Sequence, residues 1–162
     1  MKPELPFDFI TFYHLAMEWG HLVGFTLWLV ATSVGLLDAR QRRRKIVFAT
    51  WAGFSIQVVT GLYKMRESTP FPGGLSLFNM TAVPRIFFAW DYALTLMTKH
   101  LIMLAAMLNS IGLVAVAWRT APSERVGLWR ALLTANLVFA LAIAGAAVLL
   151  RFYHEIILHF AS

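Results

Sequence analysis

Residues 12–37 read FYHLAMEWGHLVGFTLWLVATSVGLL, and residues 38–45 follow with DARQRRRK. The first stretch is long enough to cross a bilayer as a helix, and the second stops it with a basic cluster. Its outer portion carries three ionisable side chains where lipid tolerates few. His14, Glu18 and His21 are spaced i, i+4, i+7, which puts them on one helical face about a turn apart. Gly20 and Gly24 form a small-xxx-small pair beside His21, open to the close approach of another backbone or of a flat ligand such as a porphyrin.

Three more apolar stretches lie further along the chain, at about 46–63, 92–118 and 128–150, the last continuing as helix through His159. The composition agrees: 59% of the 162 residues are hydrophobic, 14% are charged, and the mean hydropathy is +0.68. A water-soluble domain of this length does not have that balance. The expected fold is all-α: an integral membrane four-helix bundle forming a single transmembrane domain over residues 1–162. The long connection, about 64–91, contains TPFPGG and then LFNMTAVPRIFFAW. Its Pro and Gly residues mark a turn, and its apolar second half reads either as a lid lying in the membrane interface or as a disordered loop. Cysteine is absent, which removes thiolate ligands, disulfides and thioether haem attachment. The leading MKPELPFDF has no basic run ahead of the first span, so that helix is expected to remain in the mature protein.

The formal charge of +6 is concentrated in the first link, with Arg40, Arg42, Arg43, Arg44 and Lys45 against Asp38. The third link adds Arg119 and Arg125, and Arg130 stands just inside span four. This is a topology signal rather than a nucleic-acid surface. It places both links in the cytoplasm and both termini outside, in a multi-pass protein of the bacterial inner (cytoplasmic) membrane. Phe12, Tyr13, Trp90, Tyr92, Phe152 and Tyr153 then form an outer aromatic belt.

With that topology the five histidines all fall in the outer half. His21 is about nine residues into span one, ~13 Å deep, and His100 is about eight residues into span three, ~12 Å deep. They form a deep, level pair. His14 and His154 form a shallower one, and His159 near a helix end reads as an interface residue. Neutral imidazoles on facing helices are what six-coordinate haem iron needs. His21 and His100 are therefore the first candidate ligands of a haem b, and His14 with His154 offer a second haem or support for the first. Arg151, Lys99 or Arg85 can pair with haem carboxylates. Copper competes, because His14, Met17, Glu18 and His21 mix soft and nitrogen donors on neighbouring turns. Met97, Met103 and Met107 read as core packing. Glu18 is a partner for His14 or Lys99, or a proton carrier. Asn109 and Asn136, mid-span, are expected to hydrogen-bond between helices.

HLVGFTLWLVATSVGLL in span one, TGLYKM closing span two and LTLMTKHLIMLAAMLN in span three resemble the copper resistance protein D superfamily, which includes the small HemJ-type protoporphyrinogen oxidases. The resemblance implies haem b or copper handling and matches His21 and Lys99 to the family's His and Lys. The additional His14, His100 and His154 depart from that pattern and favour a haem or metal role over the oxidase activity. The function expected is that of a membrane b-type cytochrome in a larger redox complex, exchanging electrons with a quinone or an extracytoplasmic redox protein. The alternatives are a copper uptake or delivery protein and a non-catalytic anchor subunit.

Overall fold

The computed structural model describes residues 9–37, 43–67, 88–120 and 124–161. They form four helices: α1 (Phe9–Leu37), α2 (Arg43–Glu67), α3 (Ala89–Arg119) and α4 (Val126–Ala161). Each contains a segment long and apolar enough to cross a membrane. The outward faces are apolar: Leu22, Val30, Phe48, Val59, Leu101, Leu108, Leu141 and Val148 are all exposed on the isolated chain. Such faces suit lipid, where the solvent is as apolar as leucine and every backbone group must bond within its own helix. The described residues are thus all-helical, with four helices long and apolar enough to cross a membrane. The expected spans match these helices to within a few residues, and α4 runs on past 150 through His159 as expected. The expected interfacial lid, including Arg85, falls almost entirely outside the described residues.

α1 packs mainly on α2 and α3 mainly on α4, while lesser contacts join α1 to α4 and α2 to α3. Sequence neighbours are therefore spatial neighbours, and α1 faces α3 across a diagonal of the bundle. Glycines set the α1–α2 crossing. A Cβ added at Gly53 would stand 2.8 Å from both the Gly24 carbonyl oxygen and the Trp28 nitrogen, so the two backbones touch there. The Gly20/Gly24 pair thus receives α2: Gly24 meets Ile56 and Gly53, and Gly20 meets the Thr60 methyl.

The interior is built in layers. At the basic end Ile46, Val47, Leu113, Val116, Trp129 and Leu133 form one cluster. Arg43 closes this end. Its guanidinium donates to Thr120 Oγ1 at 3.3 Å and to the Glu124 carbonyl at 3.1 Å, and lies 5.3 Å from the Trp129 ring centre. Mid-bundle, Trp28, Phe54, Ala106, Ala140 and Ile143 form a second cluster, with the Trp28 and Phe54 rings 4.7 Å apart. At the histidine end Ala89, Tyr92, Ala93, Leu96, Leu150 and Ile157 join α3 to α4. As expected, Asn109 and Asn136 bond across α3 and α4: Asn109 Nδ2 to the Leu132 carbonyl (2.8 Å) and Asn136 Nδ2 to Ser110 Oγ (3.0 Å).

Candidate functional site

Between the mid-bundle cluster and the histidine end the helices separate around a cavity of about 510 Å³. All four contribute to its wall: Glu18 and His21 from α1, Gln57 and Gly61 from α2, Tyr92, Leu96, Lys99, His100 and Met103 from α3, and Ile143, Leu150, Arg151, His154 and Glu155 from α4. The volume is within the range of small-molecule and cofactor pockets.

The two deeper histidines reach this cavity with matching hydrogen-bond states. His21 Nδ1 is 2.9 Å from Thr60 Oγ1. The Thr60 hydroxyl gives its own proton to the Ile56 carbonyl at 2.7 Å, so toward His21 it is an acceptor. This arrangement assigns the proton to His21 Nδ1. His100 Nδ1 donates to the Leu96 carbonyl at 2.6 Å, one turn back on its own helix, which fixes the same tautomer. Each imidazole is therefore anchored through Nδ1, as metal-ligating histidines usually are. Gln57 Nε2 bonds the His21 carbonyl and ties this turn of α1 to α2. Gly61 leaves room beside the His21 ring, whose Cε1 would be 3.7 Å from an added Cβ.

The other expected residues divide. His154 lines the same cavity and has the Tyr92 ring 6.5 Å away. His14 is not on the cavity wall: its Nδ1 pairs with the Tyr63 hydroxyl on α2, and the two rings are 5.5 Å apart. The fold therefore brings His154 to His21 and His100 rather than to His14. Lys99 and Arg151 both reach the wall, and Arg151 approaches Glu155 at 4.0 Å. Glu18 and Met103 line it too, whereas His159 is exposed on α4 beyond it. Among the described residues no three His, Asp or Glu side chains converge on a point that could hold a metal ion. Thr60, Gly61, Gln57 and Tyr92 were not among the expected site residues. Thr60 and Gly61 open the TGLYKM segment, and a hydroxyl beside a glycine near the end of an apolar helix was the signal available for them.

No protein-family model matches the chain, and no curated protein or solved structure is significantly similar to it.

Proposed function

We propose that the chain is a membrane b-type cytochrome in which His21 and His100 hold haem b between α1 and α3. The observation that carries this reading is the shared tautomer of two imidazoles on diagonal helices, both lining one cavity. Haem would supply ligands of its own to the iron, so two imidazoles, His21 and His100, would suffice where an isolated ion would want three or more protein ligands. Bound there, the iron would carry one electron at a time between two redox partners. Thr60 and the Leu96 carbonyl orient the ligand rings and raise their basicity. Lys99 and Arg151 supply cations for the two carboxylates. His154 and Tyr92 supply polar edges on the same wall. The partners proposed are a quinone or an extracytoplasmic redox protein, with other membrane subunits around the bundle. The resemblance of span one, TGLYKM and span three to the copper resistance protein D superfamily belongs to the same reading.

The proposed orientation sets the Arg43 end in the cytoplasm of a bacterial inner membrane, with both termini and the cavity toward the outside. It rests on the basic sequence of the first and third links, with Arg44, Lys45, Arg119 and Arg125 at one end of the bundle.

The test is a reduced-minus-oxidised spectrum of the purified chain, with haem quantified per polypeptide. The expected result is a Soret and alpha band that His21→Ala and His100→Ala each abolish or convert to a five-coordinate form. Protein produced with ample haem that shows no such bands overturns the reading. Stoichiometric copper without haem would transfer it to the copper alternative, and turnover of protoporphyrinogen to the oxidase.

A further inference from the structure

One helical turn inward from the Trp28 cluster, the bundle changes character. Trp28, Phe54, Ala106 and Ala140 belong to one apolar cluster, one residue from each helix. Four positions toward the basic end on each helix stand Thr32, Thr50, Ser110 and Asn136. All four are fully buried, with 0% of their surface exposed. A four-residue step keeps a side chain on the same helical face. Thr32 on α1 and Thr50 on α2 thus stand one turn below the Trp28 and Phe54 rings, which lie 4.7 Å apart. A further turn inward the wall is apolar again, with Ile46, Leu113 and Leu133. The bundle thus contains a polar layer sealed above and below.

Half of this layer is satisfied. Ser110 donates to the Ala106 carbonyl at 2.9 Å and accepts from Asn136. The other half is not. The Thr32 and Thr50 hydroxyls are buried without a hydrogen-bond partner, and so are the indole nitrogens of Trp28 and Trp51, within one turn of the layer. Elsewhere in the bundle Ser33, Thr60 and Thr120 bond the carbonyl four residues back, which is how a helix in lipid normally satisfies a hydroxyl. Thr32 and Thr50 do not.

We propose that this layer is a binding site for buried water. Orphaned polar groups on two neighbouring helices, α1 and α2, are the partners such a water needs, and leaving them dry is unfavourable. Two observations favour water over a cation. The layer contains no acidic side chain, so a charge would be desolvated without compensation. The indole groups are donors, which repel a cation and bind a water oxygen. The site is independent of any cofactor, and its failure would leave the histidine cavity untouched.

The experiment is NMR of the full chain in deuterated detergent, with threonine methyls labelled, reading magnetisation transfer from water. Transfer to the Thr32 and Thr50 methyls with the sign of a long-lived, bound water is expected. In the Thr32→Val/Thr50→Val double variant the melting temperature should drop, because two good partners of the water are gone. Absence of transfer in the native chain overturns the proposal, whether or not the variant folds. So does a rise in melting temperature in the variant, since removing dry, unpaired hydroxyls would stabilise the core. Shifts of these methyls on exchanging sodium for potassium, without water transfer, would identify a cation and equally overturn it.

Discussion

Thr60 is the residue on which the histidine geometry turns. Its hydroxyl donates to its own helix, so the only role left to it toward His21 is that of acceptor. Thr60→Val keeps the shape and removes that acceptor. Haem affinity is expected to fall by roughly 10- to 100-fold, the usual effect of losing such an outer partner. Thr60→Ser should restore it. Haem titration of the three proteins measures this, and equal affinities would show that the hydroxyl does not orient the ring. Part of this was legible in the sequence. The depth of His21 and His100 follows from counting residues at a fixed rise, and both do line one cavity. The partner of His14 was not legible. Its level at the histidine end of the bundle is shared by α2 as well as α4, and counting cannot say which neighbour its face meets. Tyr63 on α2 is the answer.

At the scale of elements, the helices themselves were readable because lipid demands long apolar runs with every backbone group bonded internally. Their contacts were not, since in an apolar solvent the buried and exposed faces have nearly the same composition. The glycines illustrate this. Gly20 and Gly24 announce a close approach but do not say to what, and the structure gives α2. Gly53→Ala puts a methyl 2.8 Å from backbone atoms of α1 that cannot swing aside. It is expected to destabilise the bundle by about 1–3 kcal/mol, as overpacking typically does. Gly145→Ala meets nothing within 4 Å. It should be neutral or raise the melting temperature, because alanine is the better helix former by ~1 kcal/mol. Thermal unfolding of the two variants side by side tests the crossing, and an unchanged melting temperature for Gly53→Ala would rule out the backbone contact.

Across the whole molecule the two ends differ. Arg43 binds α2 to the α3–α4 link through Thr120, Glu124 and Trp129. Arg43→Ala should lower stability by about 1.5–3 kcal/mol, the range for bonds to a charged group. Arg43→Lys should recover little, because an ammonium cannot reproduce the planar fork over the indole. Chemical unfolding in detergent gives both numbers. The proposed orientation makes a separate prediction: reporters fused to either terminus should be active only outside the cytoplasm, and activity inside would reverse the topology. The α1–α2 and α3–α4 hairpins each close on themselves more tightly than on each other, and the cavity lies along the join, with His21 on one hairpin and His100 on the other. A ligand bound there would touch both hairpins and act as a clasp between them. Loading it would add mechanical cohesion where the chain alone has least, and the hairpins could insert first and be fastened together afterwards.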